Sequence, residues 1–254
     1  QDEFATPYDV LRLERSVAST PATAKFVPPM LLHEADSPAF GGPDWQFEVK
    51  LDGIRCQVVR QGLQVHLFSR NGADLTAAFP EIVAAARRVP AESIVWDGEL
   101  VLYDETGKPS FQRLMQLMHG PAATGTSRAN LEFCVFDLLE LNGESLIRRP
   151  LRERLALLDE WSLAQPLRRL DSLGNDGATA FRLACEFGFE GVVGKLLSSR
   201  YNPGQRTRDW LKVKSYHSAE FVVIGFAQGS GSRASTFRSL LLAEETETGL
   251  VEVG

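Results

Sequence analysis

The sequence predicts an α+β fold dominated by antiparallel hairpins, on three observations. Strand-like runs such as "LQVHLFSR" are closed by short turn signals at Gln61-Gly62 and Asn142-Gly143. Between them lie segments whose apolar residues recur every three or four positions, as helices require. With 254 residues, 44% apolar and 24% charged, the chain has an ordinary globular composition and enough length for one large core, or one large domain and part of another.

Taken in order, "PYDVLRLERSVAS" is a short polar helical candidate, and the prolines of "TPATAKFVPPM" predict an extended arm. Strands are expected in "WQFEVKLDG", "RCQVV" and "LQVHLFSR", followed by a helix in "FPEIVAAARRV". "SIVWDGELVLYDETGKP" returns to a strand and turns at Glu105 to Lys108, and "SFQRLMQLMHG" is helical with a glycine stop. "LEFCVFDLLELNG" is a strongly apolar strand, and "PLRERLALLDEW" a helix with proline in its first turn. "ATAFRLACEFG" is a further helix, and "EGVVGKLL" and "DWLKVK" are strands. From residue 218 the pattern alternates and turns like the start of a separate small β-domain. The expected division is therefore 1–217 and 218–254.

Composition narrows the chemistry. Cys56, Cys134 and Cys185 show no CxxC spacing, which suits a reducing cytoplasm and argues against structural zinc. The four histidines form no HExxH or similar metal signature. No apolar run approaches the roughly 18–20 residues a membrane span needs, and no secretory h-region is present. A net charge of −6 disfavours a nucleic-acid partner in total, but distribution matters more. "SSRYNPGQRTRDWLKVK" sets Arg200, Arg206, Arg208, Lys212 and Lys214 against a single Asp209, while acids collect in "AEETET". By charge alone that basic run is a solvated face.

Strand parity carries the argument further. Along "QFEVKLD", Phe47, Val49 and Leu51 point one way and Glu48, Lys50 and Asp52 the other. Lys212 and Lys214 share one face of "DWLKVK", opposite Leu211 and Val213, and Asp97 and Glu99 share one side of "VWDGELVL". Gly53, Gly72, Gly98 and Gly191 permit close backbone approach beside these rows. A lysine amine becomes nucleophilic when neighbouring cations or desolvation lower its pKa. Lys212, Lys214 or a divalent metal held by carboxylates such as Glu190 would do so, and the same charges would neutralise a phosphate under attack. The pattern points to phosphoryl or nucleotidyl transfer, with a salt-bridged sheet face as the alternative.

Six motifs then occur in one order: "KLDGIR" (50–55), "SRNG" (69–72), "DGEL" (97–100), "VFDLLELNG" (135–143), "EGVVGK" (190–195) and "WLKVK" (210–214). In this the chain resembles the ATP-dependent DNA ligases of the covalent nucleotidyltransferase superfamily, particularly the ligase module of bacterial end-joining ligases. The first motif matches KxDGxR, residues from about Phe26 onward fit, and GxGxxG and Walker A loops are absent. The resemblance implies an ATP-grasp-like adenylation domain of antiparallel sheets flanked by helices, followed by the start of an OB-fold barrel.

It also implies roles. Lys50 attacks the α-phosphate of ATP and holds AMP, which passes to a DNA 5′-phosphate before the 3′-hydroxyl seals the strand. Glu48 lies at the adenine edge, Phe136 stacks on the base (its alternative being core packing), and Val193 covers the other face. Glu99 bonds the ribose, and Arg55 and Arg70 contact ribose or phosphate. Lys212 and Lys214 contact the α-phosphate, and Glu190 holds Mg²⁺ or Mn²⁺. Asp52 orients the lysine, approaches the metal or serves as a turn carboxylate. Asp97 and Lys195 are open between site and structural roles, and Asp137 is left without an assigned role. Arg200, Arg206 and Arg208 contact the DNA backbone or lie in a solvated loop.

The expected partner is nicked or broken double-stranded DNA, handled by a cytoplasmic monomer without membrane attachment, with repair partners or flanking domains elsewhere. Family members continue through a full OB domain with a last basic motif, so a shortened chain is expected here. Rival readings are an RNA ligase, a capping-type nucleotidyltransferase, or a catalytically incomplete nucleotide- or DNA-binding fragment.

Overall fold

The computed structural model describes residues 24–119, 127–215, 221–229, 235–246 and 249–253. Two compact units emerge, residues 1–215 and 216–254. The helical candidate in "PYDVLRLERSVAS" and the glycine stop at Gly120 lie outside the described residues.

The described residues of the larger unit form two sheets. One contains β1 (Leu31–Glu34), β2 (Trp45–Val49), β9 (Gly191–Leu196) and β10 (Arg206–Lys214), in the order β1-β10-β9-β2. The other runs β4-β3-β5-β6-β7, from β3 (Ile54–Gln61), β4 (Gln64–Ser69), β5 (Ser93–Leu102), β6 (Leu131–Leu141) and β7 (Glu144–Ser145). A short β8 (Leu167–Arg169) pairs with β6. Among the described residues, four α-helices pack on these sheets: α1 (Pro80–Arg87), α2 (Phe111–His119), α3 (Leu151–Asp159) and α4 (Gly177–Glu186).

Most ladders are antiparallel, but two are parallel: β1 with β10, and β8 with β6. Neither β1 nor β8 was expected from sequence, because both are short and take their partners from remote parts of the chain. The helix expected at 150–161 begins at Leu151, with Pro150 as its N-cap rather than in its first turn. Asp176 caps α4 by accepting the Thr179 N–H at 2.8 Å.

The strand expected over residues 45–53 stops at Val49. Lys50 and Asp52 therefore sit in the connection that carries the chain from one sheet to the other, not on a strand face. The reason lies at Gly53, where a Cβ would fall 2.2 Å from the Leu100 carbonyl oxygen. The chain must press against β5 there to enter the second sheet.

Every position of β6 is buried, including Glu132, Asp137 and Glu140. Buried charges need partners. Asp137 is held bidentately by the fully buried Arg154 of α3, at 2.7 and 2.8 Å, so its role is structural. The main core contains Trp96, Phe79 and Phe133. A second cluster, Phe47, Val192 and Val213 against Ala180 and Ala184, fixes α4 on the back of the first sheet.

The smaller unit is an antiparallel meander of β11 (Val222–Gln228), β12 (Phe237–Thr246) and β13 (Gly249–Glu252). Among the described residues, no helix is long and apolar enough to cross a membrane.

Candidate active site

Alternation along β9 and β10 builds one wall of a cleft between the two sheets. Val192 and Val213 turn back toward α4, while Val193, Lys195, Trp210, Lys212 and Lys214 turn into a cavity of about 320 Å³. Glu48 and Lys50 reach it from β2 and its end, and Arg55, Glu99 and Phe136 from the opposite sheet. Arg70 and Arg206 also line it. Cations outnumber carboxylates on these walls, although the whole chain carries −6. Such a cavity favours an anionic ligand, and its apolar surfaces favour one with an aromatic part.

Lys50 follows β2 directly, and its N–H still bonds the Gly191 carbonyl at 2.8 Å. Gly191 is required at this point: it has φ 137°, and a Cβ would lie 2.0 Å from the Val213 oxygen. Close packing of these strand ends brings the Lys50 ammonium onto the Glu190 carboxylate as an ion pair. The Lys50 side chain is 17% exposed, so it remains accessible from the cleft. Asp52 stands nearby on the exposed connection. Burial, then the negative charge of Glu190, raises its carboxyl above the usual range, against the opposing pull of Lys50.

The deep end of the cavity has its own charge pair. Glu48 and Lys195 are 1% and 2% exposed and meet at 2.6 Å. Gln46 donates to Glu48 at 3.1 Å, and Arg169 stands 3.9 Å away. The Lys195 ammonium lies 4.3 Å from the Phe136 ring centroid and 4.7 Å from that of Trp210, and donates to the Phe136 carbonyl at 3.3 Å. Burial lowers its pKa, against Glu48 and Asp137.

On the other wall, Asp97 grips Arg55 through two hydrogen bonds of 2.7 Å. Burial opposes the Arg55 charge, but Asp97 prevails and holds the guanidinium more firmly protonated than usual. Asp97 itself is fully buried and does not line the cavity, so it positions Arg55. Glu99 pairs across the ladder with Arg55. Burial pushes its carboxyl up to about 8, with Arg55 pulling the other way.

The structure thus gathers Lys50, Glu48, Arg55, Arg70, Glu99, Phe136, Val193, Lys212 and Lys214 around one cavity. Glu190 and Asp52 stand beside Lys50. Lys212 also pairs with Glu34 at 3.0 Å. Arg206 and Arg208 lie on β10 rather than in a loop, Arg206 donating to the Leu32 carbonyl, whereas Arg200 lies outside the strands and is exposed. Lys195 and Trp210 were not singled out as cavity residues from sequence. Parity would have found them, since each lies two positions from a residue that was. Arg169 carries no sequence signal, because only the β8–β6 pairing brings it to Glu48.

A family model described as the ATP dependent DNA ligase domain matches residues 29–214. The chain belongs to this family. In this ligase-domain chain, the matched span includes both sheets and the whole cavity. The multifunctional non-homologous end joining DNA repair protein LigD of Mycobacterium tuberculosis H37Rv is 35% identical over 226 residues, 89% of this chain and 29% of that protein. A probable DNA ligase of Beutenbergia cavernae is 37% identical over 212 residues, 82% of this chain and 41% of that protein. The chain therefore spans less than half the length of these relatives. Among solved structures, a mycobacterial DNA ligase D complexed with ATP and MES superposes with a TM-score of 0.69 at 33% identity, covering 90% of this chain and 71% of that one. A Chlorella virus DNA ligase-adenylate shares the fold at 16% identity, with a TM-score of 0.55 and coverage of 91% and 85%.

Proposed function

We propose that this chain is the catalytic core of an ATP-dependent DNA ligase, with Lys50 as the residue that carries AMP. One observation supports the reading above all. A partly exposed lysine stands at the rim of a cation-lined cavity whose interior offers an aromatic face, a buried carboxylate and further basic groups. That combination suits a nucleoside triphosphate.

In the first step the Lys50 amine, having given up a proton, attacks the α-phosphorus of ATP. A nitrogen–phosphorus bond forms, the bond to the bridging oxygen breaks, and pyrophosphate leaves with the electron pair. Lys212, Lys214 and Arg70 offset the negative charge on the transferring phosphorus, and the rigid strand ends hold Lys50 in line. Phe136 and Val193 hold the base between them, with the Glu48–Lys195 pair at its edge, while Arg55 and Glu99 take the ribose. A 5′-phosphate oxygen at a DNA nick then displaces Lys50 from the adenylyl phosphorus. The neighbouring 3′-hydroxyl attacks the activated 5′-phosphate, AMP leaves, and the strand is sealed.

Two carboxylates, Asp52 and Glu190, stand beside Lys50; burial and then the charge of Glu190 raise Asp52, and such a pair fits a hard cation shared with substrate phosphates. An all-oxygen pair suits Mg²⁺ or Mn²⁺, which bind through one or two carboxylates together with substrate phosphates. When bound, the ion supplies positive charge to the phosphates.

Arg200, Arg206 and Arg208 we assign to the DNA backbone. The three-stranded unit we take as the start of an OB-fold barrel, with the boundary near residue 217; its antiparallel meander supports this. The test is transfer of label from α-labelled ATP to the chain, then sealing of a nicked duplex. Label from ATP but not GTP is expected, and label from GTP alone would favour a capping-type enzyme instead.

A further inference from the structure

The carboxylate that grips Arg55 has a second partner, a tyrosine that no step above uses. Tyr201, 2% exposed, lies between β9 and β10, and its hydroxyl donates to Asp97 at 2.5 Å. The same hydroxyl accepts the Met30 N–H at 3.0 Å. Arg55 in turn donates from Nη2 to the Met30 carbonyl at 3.3 Å, as well as from Nε and Nη2 to Asp97. The hydrogen bonds therefore form a closed ring that leaves Met30 through its N–H, passes through Tyr201, Asp97 and Arg55, and returns to the Met30 carbonyl. Met30, Asp97 and Tyr201 are buried, while the Arg55 side chain keeps 16% exposure toward the cavity.

This arrangement has two consequences. Arg55 spends Nε and Nη2 on the ring, which leaves Nη1 as the donor nitrogen free for a ligand among the described contacts. It also holds the guanidinium 4.6 Å from the Phe136 ring centroid. Met30 and its neighbours Pro29 and Leu31 line the cavity, so the ring fixes a piece of wall along with the arginine. The tyrosine is rigidly held: its N–H bonds the Ile147 carbonyl at 2.9 Å, and its ring packs edge-on to Trp210 at 5.7 Å.

We propose that Tyr201 is a positioning residue for nucleotide binding, its hydroxyl locking Asp97, Arg55 and the Met30 wall into the orientation that receives the ribose-phosphate. This rests on the reading of the cavity as a nucleotide site. Tyr201→Phe keeps the ring packing and removes both hydroxyl links, the charge-assisted one to Asp97 and the one from the Met30 N–H. Single-turnover self-adenylation at varied ATP separates apparent affinity from maximal rate. The apparent ATP constant should rise about tenfold, the size of one charge-assisted hydrogen bond, while the maximal rate at saturating ATP changes less than about twofold.

A purely structural tyrosine would lower Tm and leave the ATP constant where it was. The decisive comparison is a cycle with Arg55→Lys, which cannot make the bidentate link to Asp97. The two changes open the same ring, so the double variant should bind ATP no worse than Arg55→Lys alone. Should Tyr201→Phe unfold, Asp97→Asn opens the ring at the next member and should give the same affinity loss and the same non-additivity. Unchanged ATP affinity in Tyr201→Phe, or losses that simply add, would overturn the proposal while wild-type adenylation left the nucleotide reading standing. A wild type that neither binds ATP nor forms the adduct would overturn both.

Discussion

Replacing Lys195 with methionine should expose how much the deep end of the cavity depends on one buried charge. The substitution keeps an unbranched apolar stem, one heavy atom shorter, and removes the ammonium that meets Glu48 at 2.6 Å. Glu48, 1% exposed, would be left with the Gln46 amide at 3.1 Å and Arg169 at 3.9 Å. Removing one member of a buried pair typically costs about 3–5 kcal/mol, because the other charge stays buried without compensation. Residual attraction to Arg169 places the expectation near the lower limit, about 3 kcal/mol, or roughly 6–12 °C in Tm for a domain of this size. Urea unfolding of the ligand-free protein measures it. Adding Glu48→Gln in the same chain removes the stranded charge and should recover at least half of the loss. A loss below about 1 kcal/mol, or a double variant less stable than Lys195→Met, would refute the reasoning that these two groups share one desolvated site.

Other consequences can be checked as directly. Burial raises the Glu99 carboxyl to about 8, so the folded chain holds this proton more tightly than the unfolded one. Its contribution is fully present below the ordinary glutamate range and is lost as pH rises through about 8. Glu99→Gln should therefore stabilise the ligand-free protein relative to wild type more at pH 8.5 than at pH 5, by a few degrees in thermal melts; an equal effect at both would contradict it. Gly53→Ala should cost more than about 2 kcal/mol in urea unfolding, since the added Cβ falls 2.2 Å from the Leu100 oxygen. An unaltered midpoint would show that the connection between the sheets can move aside.

The alternation in "EGVVGK" and "WLKVK" made one charged wall legible, because a strand's period of two is a local property. What the sequence could not show is distance along the chain. Lys195 reads as one more polar residue in a strand until β9 pairs with β2, with register partners Gln46 and Lys195, and its ammonium reaches Glu48. Arg169 reaches the same carboxylate only because β8 runs parallel to β6. Lys50 was expected on a strand because its neighbours alternate correctly. The close approach at Gly53, which ends β2 early, depends on β5, more than forty residues away. The motif order carried the family, whereas the tyrosine between the last two motifs reveals its partner only when Asp97 and Met30 are folded around it.

The central claim is that Lys50 becomes covalently attached to AMP. Incubating the purified chain with ATP and Mg²⁺, followed by intact-mass measurement and peptide mapping, tests it most directly. The structure predicts a single added adenylyl group on Lys50, absent from a folded Lys50→Ala variant. An adduct on another residue, an adduct that persists in Lys50→Ala, or none at all from a folded wild type would contradict the account.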